Sequence, residues 1–294
     1  MTARHFSGSY TALVTLFRDG KLDEKANRDH VNWQIEQGTH GLVPVGTTGE
    51  SPTLSHAEHK QLVEWCVRES RGRAPVIAGA GSNSTEEAID FARYGEKVGA
   101  DGLLVVTPYY NKPSQEGLYQ HYKAINDAVG IPILIYNIPG RSIVDMSVDT
   151  MKRLYDLKNI TGVKDATGRV ERVTTQALAM PGFNQLSGND DSALGFSAHG
   201  GDGCISVSSN VAPKLCSDFQ NACMKGDFKA ARALQALLMP LHDSLFIEPN
   251  PAPVKYALSL LRPVSAEVRL PMVPCSEPTK RAVEAAMRHA GILN

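Results

Sequence analysis

The chain has 294 residues, 42% hydrophobic and 21% charged, with a formal net charge of −1. That length can bury a large core, and the charge balance argues against a field built to gather nucleic acid or anionic membrane. No apolar run is long enough for a membrane span, and the first nine residues lack the apolar centre of an export signal.

Short β-branched runs alternate with amphipathic stretches along most of the chain. Strands are predicted over 10–15, 41–45, 75–80, 102–106, 132–136, 160–164, 183–187 and 203–207. Helices are predicted between them over 23–37, 55–69, 84–98, 114–128, 147–157, 170–179 and 193–199. Several open on Asp23, Ser55, Ser84, Ser114 or Ser147, whose side-chain oxygens can accept from unpaired N–H groups of a first turn. Gly99 to Gly102 and Val129 to Pro132 are turn signals that hand a helix on to a strand.

Eight strands interleaved with helices predict a parallel sheet closed into a (β/α)8 TIM barrel, an α/β fold. An open doubly wound sheet is the alternative. It is disfavoured because no Gly-x-Gly-x-x-Gly turn follows the first strand. After Val207 the strands stop. Helices over 210–225, 228–245, 253–261 and 277–290 predict a catalytic barrel over 1–225 and a C-terminal helical appendix over 226–294. The five cysteines, Cys66, Cys204, Cys216, Cys223 and Cys275, lack metal-ligand spacing and predict reduced thiols in a cytoplasmic protein.

In such a barrel, side chains at the C-terminal ends of the strands converge on one face. The sixth predicted strand ends in Lys164, an amine at the close of an apolar run. An amine held out of water stays partly neutral and can attack a carbonyl to form a Schiff base. The fifth strand ends in Tyr136, and Tyr110 follows the fourth. A phenol near a lysine suits general acid–base work. Gly46-Thr47-Thr48-Gly49 combines close backbone approach with two hydroxyls, which suits a small carboxylate; Thr48 can also pass a proton. Arg141, after a Pro-Gly turn, can grip a second carboxylate with its planar fork. His56 and His59 flank Glu58 at a spacing that does not suit a metal site, so no metal is expected.

Four of these segments are recognisable together. Gly46-Thr47-Thr48-Gly49-Glu50-Ser51, Pro108 to Gly117, Tyr136-Asn137-Ile138-Pro139-Gly140-Arg141 and Gly162 to Gly168 resemble the family of dihydrodipicolinate synthase and N-acetylneuraminate lyase. The resemblance continues through Leu245 to Pro251 and Arg269 to Met272. It implies an enzyme without metal or organic cofactor that joins pyruvate to L-aspartate 4-semialdehyde through an imine on Lys164. It implies Tyr136 as general acid–base, Thr48 and Tyr110 as its relay, and Thr47 and Thr48 as holders of the pyruvate carboxylate. Arg141 holds the semialdehyde carboxylate on the same reading, and main-chain atoms of Gly188 and Ile205 line the pocket.

The resemblance also implies a homotetramer of two tight dimers, with Tyr110 reaching a neighbouring subunit's site. A lysine effector pocket is implied at Ser51, His56, His59, Asn83, Glu87 and Tyr109. Three alternatives stay open from the residues: a sialic acid or 2-keto-3-deoxy-sugar-acid aldolase, a silent barrel that only binds a small carboxylate, and a metal-dependent aldolase.

Overall fold

The computed structural model describes residues 5–294; the predicted absence of an export signal rests partly on residues 1–4, outside that range. Eight parallel strands form one sheet: β1 (Gly8–Ala12), β2 (Gly41–Val43), β3 (Ile77–Gly79), β4 (Gly102–Val106), β5 (Ile133–Asn137), β6 (Ile160–Asp165), β7 (Asn184–Ser187) and β8 (Gly203–Ser206). Their order is β2-β1-β8-β7-β6-β5-β4-β3. A parallel bridge from Leu42 to Val76 joins the two ends and makes the sheet a barrel. The open-sheet alternative is thereby excluded.

Strand alternation divides the apolar side chains between two layers. Tyr10, Val43, Ile77, Leu104, Leu134, Leu186 and Ile205 fill the barrel interior. Leu103, Val105, Ile133, Ile135 and Val163 point outwards, into the layer shared with the helices. Both faces of the sheet are thus apolar, which explains why its strands read as short continuous runs.

The surrounding helices are α1 (Glu24–Glu36), α2 (His56–Ser70), α3 (Thr85–Val98), α4 (Gln115–Ala128), α5 (Val148–Tyr155), α6 (Arg172–Ala179), α7 (Ala193–Ala198) and α8 (Pro213–Met224). Asp23, Ser55, Ser84, Ser114 and Ser147 each cap a helix by accepting an N–H three residues on. Beyond the barrel come α9 (Phe228–Ser244), α10 (Ala252–Leu261) and α11 (Glu277–His289). Leu238, Leu241, Leu258, Val283 and Met287 from these helices share one apolar cluster with Val14, Val211 and Phe219.

One strand prediction is corrected, and a hairpin lies where no element was predicted. The first strand is Gly8–Ala12 rather than 10–15. The β-branched run does continue, but Val14 N–H donates to the Asn210 side chain and Thr15 Oγ1 to Gly49 O, so those residues leave the ladder. A small hairpin, Phe17–Arg18 paired with Lys21–Leu22, precedes α1. Its turn is Asp19-Gly20, both at positive φ (53° and 76°), the pairing that a two-residue hairpin prefers.

Candidate active site

Lys164 and Tyr136 are register partners on adjacent strands, β6 and β5, so both side chains enter the barrel from the same side of the sheet. Lys164 is 6% exposed and Tyr136 5%. The Lys164 Nζ stands 4.1 Å from the centroid of the Tyr136 ring. This contact brings the predicted amine and phenol together. Gly188, at the end of β7, leaves room for the amine's stem. A Cβ there would lie 3.0 Å from Lys164 Cε and 2.7 Å from Ala166 Cβ.

The end of β6 is fastened from outside the barrel. Asp165, which points away from Lys164 by strand alternation, accepts from Arg172 Nε at 3.0 Å and Gln176 Nε2 at 3.1 Å. Its other oxygen accepts from the Thr167 N–H and hydroxyl. An ion pair of this kind, satisfied on all sides, fixes the strand end that carries the amine.

Gly46 to Glu50 make a tight turn. Gly49 N–H donates to Gly46 O and Glu50 N–H to Thr47 O, both at 3.1 Å. Gly49 has no space for a side chain, since a Cβ would meet Val45 backbone at 3.0 Å. Val45, just before the turn, has φ 51°, a conformation that strains a β-branched residue. Thr48 is 3% exposed, and its hydroxyl accepts from Asn250 Nδ2 at 3.0 Å. Glu50 is buried against Lys255, Nζ to Oε1 at 2.7 Å, and accepts the Arg269 N–H on its other oxygen. The turn is therefore held by the C-terminal segment. Asn250 lies within the Leu245 to Pro251 segment of the resemblance, whereas no sequence pattern singles out Lys255.

Two cavities meet at this face. A cleft of about 480 Å³ is lined by Thr47, Thr48, Tyr136, Arg141, Lys164 and Gly188, with Asn250 on the C-terminal side. A second cavity of about 230 Å³ adjoins it and shares Thr47, Tyr136, Ile138 and Arg141. Arg141 is carried on a one-turn helix, Pro139–Ser142. Ser142 Oγ donates within that turn and accepts from Thr107 Oγ1 at 3.1 Å, which ties the turn to the end of β4. Ile205 is fully buried in the interior cluster, and Val207 is the residue after β8 that reaches the cleft wall.

Tyr110 is not gathered into this cleft. It is 90% exposed, at φ 71°, and is not among the residues that line the cleft with Lys164. Within one chain, Tyr136 is therefore the one of the two predicted phenols that lines the cleft.

The predicted effector residues form a neighbouring group. Ser51 and Tyr109 line the smaller cavity. His56 Nε2 is 2.5 Å from Glu87 Oε1, and Glu87 also accepts from Ser82 Oγ. Burial, then the nearby Glu87 carboxylate, pushes the Tyr109 phenol up, against an Asn83 backbone contact. His59 is different in kind. It is 3% exposed, stacked on Phe91 with ring centres 3.8 Å apart, and bonded through Nε2 to Gly79 O. Burial lowers its pKa to about 4. It backs this group as a neutral ring. Among the described residues no group of three His, Cys, Asp or Glu side chains could hold a metal ion, and the cysteines are all free.

Comparison with known proteins bears on this geometry. The profile of the Dihydrodipicolinate synthetase family matches residues 5–290. The 4-hydroxy-tetrahydrodipicolinate synthase of Afipia carboxidovorans is 68% identical over 296 residues, covering 100% of both chains. The chloride-inhibited dihydrodipicolinate synthase of Acinetobacter baumannii, solved in complex with pyruvate, is 45% identical with a TM-score of 0.95, over 98% of this chain and 100% of that one. The enzyme of Cyanidioschyzon merolae, solved with lysine bound, is 36% identical with a TM-score of 0.95, over 99% and 100%.

Proposed function

Since the chain belongs to the dihydrodipicolinate synthetase family, we propose how its own residues carry out the condensation that membership brings. The chain is an enzyme of lysine and diaminopimelate biosynthesis. It joins pyruvate to L-aspartate 4-semialdehyde and yields 4-hydroxy-tetrahydrodipicolinate.

Lys164 attacks the pyruvate ketone, and loss of water leaves an imine. Removal of a methyl proton converts the imine to an enamine, whose carbon attacks the aldehyde. The amino group of the second substrate then displaces Lys164 as the ring closes, so the amine is regenerated. Tyr136 moves protons at each stage, the role suggested by its place beside Nζ. Thr48 holds the pyruvate carboxylate together with Thr47. Thr47 also borders both cavities with Tyr136, so it, rather than Thr48, is the better link in a relay leading away from Tyr136. Arg141 takes the semialdehyde carboxylate at the open side of the cleft. Gly188 and the backbone near Ile205 shape the floor. No cofactor takes part in this sequence of steps.

The observation that carries this reading is the Lys164–Tyr136 contact at the cleft floor. Borohydride reduction in the presence of pyruvate, followed by peptide mapping, should add the mass of a reduced pyruvate adduct at Lys164. A labelled peptide elsewhere, or no adduct, would remove the mechanism.

We further infer that the chain assembles as a homotetramer of two tight dimers and that Tyr110 serves a neighbouring subunit. Its 90% exposure and positive φ favour a partner across an interface. Residues 1–225 are taken as the catalytic barrel and 226–294 as its C-terminal part. No helix among the described residues is long and apolar enough to cross a membrane, and a cytoplasmic location is proposed. Lysine is proposed as an effector held by Ser51, His56, Asn83, Glu87 and Tyr109, with His59 behind them. Millimolar lysine should lower turnover; rates indifferent to it would remove this site.

A further inference from the structure

We propose that Asn250, between α9 and α10, is a positioning residue that sets the direction of the Thr48 hydroxyl and so tunes the affinity for pyruvate. The inference rests on Thr48 holding the substrate carboxylate, as proposed above. Asn250 Nδ2 donates to Thr48 Oγ1 at 3.0 Å. Both residues are buried, and both line the cleft that contains Lys164.

A hydroxyl offers one proton and two lone pairs. A carboxylate can accept only the proton. With an amide N–H already on the Thr48 oxygen, the hydroxyl proton is left to turn towards the cleft. An acceptor in the place of that N–H would draw the proton the other way and present lone pairs to an anion. The amide carries this orientation at a cost. Asn250 Oδ1 is buried and has no hydrogen-bond partner among the described residues.

The segment that carries Asn250 is itself tied down. Glu248 Oε1 accepts from Ser276 N–H at 3.0 Å and from Thr279 Oγ1 at 2.6 Å. On the other side, Lys255 N–H donates to Pro251 O at 3.0 Å. The Lys255–Glu50 pair then fixes the turn that bears Thr48. Both ends of the Asn250–Thr48 bond are therefore held in place, which is what a directional donor requires.

Two variants test this. Asn250→Asp has the same shape but supplies an acceptor when ionised and a donor when protonated. Asn250→Ala supplies neither. The measurement is the pyruvate concentration that gives half-maximal borohydride trapping on Lys164, taken as a ratio to the unaltered enzyme at each pH. Lys164, Tyr136, Arg141, Asp190, Asp191, His242 and Asp243 also border the cleft, with the Glu50–Lys255 pair nearby, but they are common to all the proteins and cancel in the ratio.

The Asn250→Asp ratio should be about tenfold or more at alkaline pH and should fall as the new carboxyl protonates. The Asn250→Ala ratio should be smaller and independent of pH, and should return to one when both proteins compared already carry Thr48→Val. An Asn250→Asp ratio near one, or one that is flat with pH, overturns the proposal. If Asn250→Ala does not fold, the isosteric Asp variant decides alone. Failure of the unaltered enzyme to trap pyruvate at all would instead remove the Lys164 mechanism, a separate result.

Discussion

Lys164 and Tyr136 owe their proximity to one register. Positions 136 and 164 are paired on neighbouring parallel strands, and strand alternation sends both side chains inwards. The amine's stem fits because Gly188 carries no Cβ. Replacing Tyr136 with Phe keeps the ring beside Nζ and removes the hydroxyl proposed to carry the proton. Turnover should fall by roughly 10²–10⁴, the span usual for a general acid–base, while pyruvate trapping at Lys164 remains measurable in single-turnover experiments. Normal turnover in Tyr136→Phe would assign the role to another group. Lys164, Tyr136 and Arg141 were legible in the sequence because each closes or follows a strand whose apolar run ends there. Asn250 was not legible as a partner of Thr48, since 202 residues separate them.

At the scale of elements, the turn after β2 and the C-terminal segment form one unit. Lys255 is fully buried, with its ammonium on Glu50 and 4.4 Å from the Phe17 ring centre. Burial lowers the Lys255 pKa, opposed by the Glu50 charge and hydrogen bond. Lys255→Met leaves the Glu50 carboxylate buried without its cation and should cost about 3–5 kcal/mol in denaturant unfolding; pairing it with Glu50→Gln should recover part of that loss. Equal losses in the single and double variants would count against a coupled pair.

Arg269 completes the attachment through Glu58, with Nη2 to Oε1 at 2.6 Å. The Arg269 hydrogen bond is the main cause that brings the Glu58 pKa from 4.5 to about 2. A lowered carboxylate pKa stabilises the fold above the unfolded-state value and loses that contribution as pH falls through the folded-state value. Stability should therefore drop between about pH 4.5 and pH 2, and Glu58→Gln should flatten that part of the curve. A drop of unchanged size would place the acid sensitivity elsewhere. The helices were legible because six of them carry their own capping side chain. The hairpin at Asp19-Gly20 was missed because two-residue strands carry too little periodicity, although the turn pair itself was present.

For the whole molecule, the exposed Tyr110 provides a test of assembly. If it completes a neighbour's site, Tyr110→Phe and Lys164→Ala are defects in different sites of one assembly. Mixed hybrids should regain activity that neither parent shows, because some sites then combine an intact lysine with an intact tyrosine. Activity in the mixture no greater than the sum of the parents would confine Tyr110 to its own chain or to the surface.

Strand and helix order, and with them the barrel, were determined by the sequence alone, because apolar periodicity, caps and turn residues are local properties. The identity of the amine and its phenol was also local, since each stands at a strand end. Tertiary structure decided that Tyr110 is left exposed, that His59 is a buried ring stacked on Phe91, and that Asn250 and Lys255 brace the Gly46–Glu50 turn. Those outcomes depend on contacts between segments far apart in the chain, and no pattern within either segment specifies the other.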